Sequence, residues 1–219
     1  MEPAIVLVSG GLDSAVSLFW ARKKGYSIIP LTFNFHNRPR PEIRATRALL
    51  QRVGVGKPLE LDLPFLRTAS DLKKSQNSRM LERAGPTYIP ARNAIYYSIA
   101  SHFAEVFNAP FVVGGHNGQD PGTFPDSRPE YFEELTRFIQ KGLLSRPEFG
   151  VEILLPLARK SKEEVVRLGV ELGVPFDLTW SCLHEGRKPC ETCSSCKERA
   201  EGFAGAGFKD PGFSLPSKS

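Results

Sequence analysis

Long hydrophobic runs are missing from this 219-residue chain. No apolar stretch reaches the roughly 18 residues that a membrane helix needs, so no membrane partner is expected. A strand-like run follows Met1 almost at once, so no signal peptide is expected and the cytoplasm is the default compartment. A long basic block is absent too. The net charge of +5 is spread along the chain, a weak footprint that speaks against nucleic acid as a partner. An anion site such as one for ATP also calls for positive charge. Histidine is scarce: His36, His102, His116 and His184 form no metal pair and are assigned to surface or packing roles. Two common nucleotide signatures are lacking. No glycine-rich stretch ends in Gly-Lys-Ser/Thr, and 10-GGLDSA-15 does not have the G-x-G-x-x-G spacing. No internal repeat or low-complexity segment is present.

What is present is alternation. Ile5 to Val8 and Ile28 to Phe33 read as buried strands around a helix over Asp13 to Lys24, with Gly25 at its C-terminal end. A helix begins near Pro41 and carries Ile43, Leu50 and Val53; Leu59 to Leu63 reads as a strand. Ile95, Ile99, Phe103 and Val106 mark a longer helix, before a strand at 110–113. Trp20, Phe103 and Phe107 are assigned to packing. Tyr131, Leu135, Phe138 and Ile139 are helically spaced, and Val151 to Leu155 reads as a strand. Ser161 and Glu164 form a capping-box pattern before Val165, Leu168 and Leu172. This order predicts an α/β fold with a parallel sheet covered on both faces. Beyond Phe176 the pattern fails and a cysteine-rich tail begins.

Two segments carry chemistry. In 8-VSGGLDSA-15, Gly10 and Gly11 let backbone approach phosphate oxygens where a strand turns into a helix, and Ser9 and Ser14 add hydroxyl donors. Asp13 would repel bare phosphate, so it is assigned to holding Mg²⁺ or setting the loop. The S-G-G-L-D-S stretch resembles the pyrophosphate loop of ATP-dependent adenylating enzymes. All four cysteines fall in 182-CLHEGRKPCETCSSC-196. Their spacing suits a metal, with Cys182, Cys190, Cys193 and Cys196 as four thiolates around one structural Zn²⁺, whose charge Arg187, Lys188, Lys197 and Arg199 are placed to offset. An iron–sulfur cluster is the competing occupant.

Together 9-SGGLDS-14, 88-YIPARNAIYYSIA-100, 125-PDSRPEY-131, 156-PLARKSKEEVVRLGVELGV-174, 179-TWSC-182, the cysteine block and 202-GFAGAGFKDP-211 resemble the 7-cyano-7-deazaguanine synthase family of the queuosine and archaeosine precursor pathway. The resemblance implies a Rossmann-like pyrophosphate-loop adenylating domain over 1–175, with a zinc-binding segment over 176–219 packed on it, and a homodimer. It implies an ATP-dependent ligase that adenylates 7-carboxy-7-deazaguanine and, with ammonia, forms the amide and then the nitrile. No glutaminase-like segment is present, so free ammonia is the expected donor. The rival readings are a divergent paralogue that delivers the activated carboxylate to another nucleophile, and a pyrophosphate-loop tRNA thiolase.

Carried over by position, the nucleotide loop comprises Val8, Ser9, Gly10, Gly11, Leu12, Asp13, Ser14, Ala15, Val16, Ser17 and Leu18. Catalytic roles fall to Ser9, Asp13, Ser14 and Lys162, the last as a phosphate contact. Phe33, Phe35 and Tyr97, with Arg92, Asn93, Asp120, Asp126 and Arg128, are the candidates for binding the deazapurine. The chain departs from the family in two places. The family stretch F-D-Y-G-Q-K/R-H appears as 33-FNFHNRP-39, with Asn34, His36, Asn37 and Pro39 at changed positions. In 125-PDSRPE-130, Ser127 replaces a cysteine. The ATP loop and the cysteine block are intact.

Overall fold

The computed structural model describes residues 1–75, 81–144 and 150–212. Of the expected C-terminal segment, residues 213–219 lie outside the described residues. The chain runs β1 (Pro3–Leu7), α1 (Leu12–Lys23), β2 (Ser27–Phe35), α2 (Arg40–Val53), β3 (Leu59–Leu63), α3 (Ala69–Ser75), α4 (Arg92–Val106), β4 (Phe111–Val113), α5 (Asp120–Thr123), α6 (Pro129–Gly142), β5 (Glu152–Leu154), α7 (Lys162–Glu171) and α8 (Ser194–Ala206). Short 3-10 turns cover Pro125–Ser127 and Phe176–Leu178.

The sheet is parallel throughout, in the order β3-β2-β1-β4-β5. Period-two alternation along β1 divides the core. Ala4, Val6 and Val8 face a cluster that includes Leu12 and Val16 of α1, Leu49 of α2, Val165 of α7 and Phe203 of α8. Ile5 faces the opposite cluster, which includes Tyr97 and Ala100 of α4 and Phe132 and Ile139 of α6. The central strands β1 and β4 are thus covered on both sides and read as continuous apolar runs, whereas the edge strand β3 alternates apolar residues with exposed Glu60 and Asp62.

Helix ends follow local chemistry. Gly25, at φ +81°, ends α1 just beyond Lys24, and Gly54, at φ +75°, ends α2. The Ser161–Glu164 capping box starts α7. Phe107, expected in the core, is 41 % exposed, because α4 ends at Val106 and its ring stacks on Phe103 at the surface. The tail is not devoid of structure: α8 lies along α7, joined by Arg167 Nη2 donating to the Gly205 carbonyl at 2.8 Å. No helix among the described residues is long and apolar enough to cross a membrane.

The order places β1 beside β4 where the connections diverge to opposite sides of the sheet. The crevice beyond the carboxyl ends of these strands is where α/β sheets bind ligands. The residues after β1 and after β4 meet there.

Candidate functional site

The turn after β1 is wound tightly around two hydroxyls. Ser14 Oγ accepts from the N–H groups of Ser9 and Gly10, both at 3.2 Å, and donates to the Gly11 carbonyl at 3.0 Å. Gly11 N–H donates to Ser9 Oγ at 3.2 Å. Three successive backbone donors therefore converge at the start of α1, the arrangement that cradles an anion. Gly10 has no alternative here. Its φ is +94°, and a Cβ would stand 2.4 Å from the Glu42 carbonyl oxygen and 2.8 Å from the Thr46 nitrogen. Of the loop candidates, Val8, Leu12, Ala15, Val16 and Leu18 put their side chains into the core, which leaves only their backbone to the site. Ser17 is buried and donates to the Gly114 carbonyl at 3.2 Å, joining α1 to the loop after β4.

Asp13 and Lys162, 149 residues apart, form the charged centre: Lys162 Nζ donates to both carboxylate oxygens, at 3.0 and 2.8 Å. Burial works against the lysine's charge, but the Asp13 carboxylate outweighs it and holds the ammonium's pKa above its ordinary value. Asp120 lies across from them. Its carboxylate accepts from Asn117 N–H at 2.9 Å and faces His116 Nδ1 at 3.7 Å. Burial disfavours its charged form, yet these donors and Lys162 hold its pKa below the usual range. Burial pushes the Glu198 carboxyl of α8 upward, against the pull of Lys162. Gly115 lets the two loops touch, since a Cβ there would stand 3.0 Å from Ser14 nitrogen.

The remaining candidates divide. Asn93, buried at the start of α4, donates through Nδ2 to the Asp126 carbonyl at 2.9 Å, and its N–H reaches Asp126 Oδ2 at 3.3 Å. Ser127 Oγ is 3.5 Å from the same amide, so the serine fits the pair. Arg92 stacks over Phe124 at 5.3 Å, and Arg128 is exposed before α6. Phe35 is half-buried. Phe33 is buried and stacks on Tyr96 at 4.1 Å, which leaves that face of its ring occupied. Tyr97 is fully buried among Phe132 and His116, and its ring offers no face to solvent.

Sequence reasoning missed the cluster beneath Ser9. Arg38 is buried and donates through Nη2 to the Ser9 carbonyl at 2.6 Å and Thr46 Oγ1 at 3.0 Å. Its Nη1 donates to Thr32 Oγ1, the Phe33 carbonyl and Asn34 Oδ1. Glu42, one turn on, lies 3.8 Å from Arg38 Nε. Burial pushes its carboxyl up to about 7, against the pull of Arg38, Arg92 and a hydrogen bond with Ser9. Tyr96 Oη is buried without a partner nearby. An arginine and a glutamate at i, i+4 beside a proline was the available signal. Asn34, the changed position, donates to Glu60 Oε1 at 3.0 Å and Asp62 Oδ1 at 2.8 Å.

The four cysteines come together as their spacing predicts, with all four Sγ atoms within 4.8 Å of one another. Cys182 Sγ accepts from the N–H groups of His184 and Cys190, at 3.4 and 3.3 Å. Cys190 Sγ accepts from Cys193 N–H at 3.3 Å. Such donors stabilise thiolates, and hydrogen bonding from Thr192 draws the Cys190 thiol down to about 5. Four sulfurs at this separation suit a tetrahedral metal with no open position. Arg199 does not serve as the expected counter-charge. It is buried in a pairing with Asp210, at 2.6 Å, and donates to the Phe176 carbonyl and Thr179 Oγ1.

A family model described as "Queuosine biosynthesis protein QueC" matches residues 3–207. A 7-cyano-7-deazaguanine synthase from Nitratiruptor sp. is 34% identical over 223 residues, covering 99% of this chain and 99% of that protein. One from Thermoplasma volcanium is 35% identical over 216 residues, covering 96% of this chain and 90% of that protein. Among solved structures, the NMN synthetase from Francisella tularensis aligns with TM-score 0.51 at 18% identity, over 100% of this chain and 89% of that one. That last likeness bears on the fold alone, a parallel sheet with helices on both faces.

Proposed function

As the chain belongs to the queuosine biosynthesis protein QueC family, we propose that it is an ATP-dependent ligase converting 7-carboxy-7-deazaguanine and ammonia, through the amide, into 7-cyano-7-deazaguanine. The observation that carries this reading is the convergence of the Ser9–Gly11 amides with the Asp13–Lys162 pair beyond β1 and β4. Adenylation needs a place to hold departing pyrophosphate, and this one combines a helix N-terminus, convergent amides that the Ser9 and Ser14 hydroxyls hold in place, and a cation.

In the proposed first cycle, a carboxylate oxygen of the substrate attacks the α-phosphorus of ATP and the bond to pyrophosphate breaks. The leaving charge is met by the loop amides and Lys162, which Asp13 keeps oriented. Ammonia then adds to the acyl carbon, the acyl C–O bond breaks, and AMP leaves as nitrogen gives up a proton. In the second cycle the amide oxygen attacks the α-phosphorus of a second ATP and the bond to pyrophosphate breaks again. Loss of AMP with the remaining N–H protons leaves the nitrile. Bound Mg²⁺ would neutralise triphosphate charge, with Asp13 and Asp120 as the carboxylates facing it. Arg92, Asn93, Asp126 and Arg128 are the residues we assign to the substrate side. The cysteine cluster would hold Zn²⁺ as a structural ion. We further propose that the enzyme works as a cytoplasmic homodimer.

The altered 33–39 segment favours a second reading for the final step. Asn34 is engaged by Glu60, Asp62 and Arg38, so this loop offers a different acceptor side from the family stretch. In that reading the activated acyl group passes to another amine. Mass spectrometry after incubation with ATP, Mg²⁺, ammonia and carboxy-deazaguanine separates the cases. Nitrile with AMP and pyrophosphate is the expected result. Arrest at the adenylate or amide supports transfer to another nucleophile. Absence of base-stimulated pyrophosphate release, with activity on tRNA instead, overturns the substrate assignment.

A further inference from the structure

The cysteine segment touches the nucleotide site at both of its ends. Upstream, two residues before Cys182, the Trp180 N–H donates to the Gly10 carbonyl at 2.9 Å. Downstream, α8 starts directly after Cys193, contains Cys196 and runs along α7, which opens with Lys162. Besides Phe203, which packs with Val165 and Val166, two glycines of α8 face the start of α7. A Cβ at Gly202 would stand 2.4 Å from Lys162 Cγ and 3.3 Å from its Cβ. Lys162 is only 8 % exposed, so its stem runs in the channel that the missing side chain leaves. A Cβ at Gly205 would meet Glu163 instead, at 2.5 Å from its Cγ, but Glu163 is exposed and free to swing. Arg199, three residues after Cys196, bolts α8 to the Phe176 carbonyl at 3.0 Å and Thr179 Oγ1 at 2.6 Å, just before Trp180.

We infer that Gly202 is a positioning residue for Lys162, and that the cysteine cluster, by fixing α8 when metal is bound, holds this lysine against Asp13. Relaxed carbon–carbon contacts lie at about 3.5–4.0 Å, so a methyl at position 202 forces the lysine stem back by about 1 Å. A displacement of that size at a reacting site costs on the order of 100-fold in turnover. The metal segment is then part of how the charged centre is built, besides contributing to folding. The inference rests on the reading of Lys162 as a pyrophosphate contact.

The test measures acylation of Lys162 by an amine-reactive ester, by peptide mass spectrometry on the full chain. Metal content, ATP affinity and hydrogen exchange of α4 are followed alongside. In Gly202→Ala, Lys162 labelling is expected to rise by about tenfold, the change that ~1.4 kcal/mol of lost protection produces. Metal content and α4 exchange stay at the wild-type level while ATP binding weakens. Gly205→Ala leaves Lys162 protected. Removing metal from the wild-type protein with a chelator is expected to expose Lys162 before α4 exchanges, and this arm decides the matter if Gly202→Ala does not fold. Lys162 that stays protected both in Gly202→Ala and after metal loss overturns the inference. Unchanged ATP binding in Lys162→Ala would count against the functional reading instead, and is distinguishable because the labelling result is independent of it.

Discussion

Replacing Glu42 with glutamine should flatten the pH dependence of stability. In the fold, burial keeps the carboxyl protonated up to about 7, whereas the unfolded chain releases the proton near its ordinary value of 4.5. Between those values the native state binds more protons than the unfolded one, so stability falls as pH rises and levels off above the folded value. A shift of this size corresponds to about 3 kcal/mol. It is an upper figure, since 17 % of the side chain still meets solvent. Glutamine is neutral throughout and keeps an oxygen for Arg38 and Ser9. The variant should therefore match the wild type below about pH 4 and exceed it near pH 8, by up to about 3 kcal/mol. For a chain of this size that is roughly 5–10 °C in Tm. Circular-dichroism melts of both proteins across this range provide the measurement. Taking the difference between them removes the titration of the cysteines, which both share. Parallel Tm profiles would refute the reasoning, because they would mean that Glu42 ionises in the fold as easily as it does in water.

The purified protein should be colourless with about one zinc per chain by elemental analysis, and brown colour with iron and sulfide would point to the thiolase reading. Cys193→Ser should lower the melting temperature and solubility, read by thermal scan, because metal binding contributes directly to folding. Asp13→Ala and Lys162→Ala should each slow AMP and pyrophosphate formation by about 100-fold or more, whereas ADP as the sole nucleotide product would exclude adenylation. Gly10→Ala should be destabilised by at least about 2 kcal/mol in denaturant titration, since it combines a positive φ with a backbone clash.

Most of the frame was legible in the sequence because its signals are local. Apolar runs, the Ser161–Glu164 box and Gly25 place β1, β2, α1 and α7 to within a few residues. The four-cysteine spacing likewise anticipates a single cluster. Missed elements lack such signals. α8 carries Gly202, Gly205 and a thiol-rich first turn, so it looks like a tail; its helical state depends on packing against α7. α3 and α5 are too short for a period to show. The Asp13–Lys162 pair joins two separately flagged residues, but no spacing rule predicts that they would bind each other across 149 positions. Arg38 and Glu42 escaped notice because burial, which changes their chemistry, is a property of the packed fold.

Asn34 has a consequence for how this chain can change. It lies opposite Asp62 on the edge strand β3 and bridges that carboxylate to Glu60. An aspartate there, as in the family stretch, would set three carboxylates together where directly opposed like charges destabilise a strand pair. The effect of Asn34→Asp therefore depends on what occupies positions 60 and 62. Grafting the family loop is an epistatic problem: a single exchange leads through a weakened intermediate, while prior neutralisation of Glu60 or Asp62 opens a passable route.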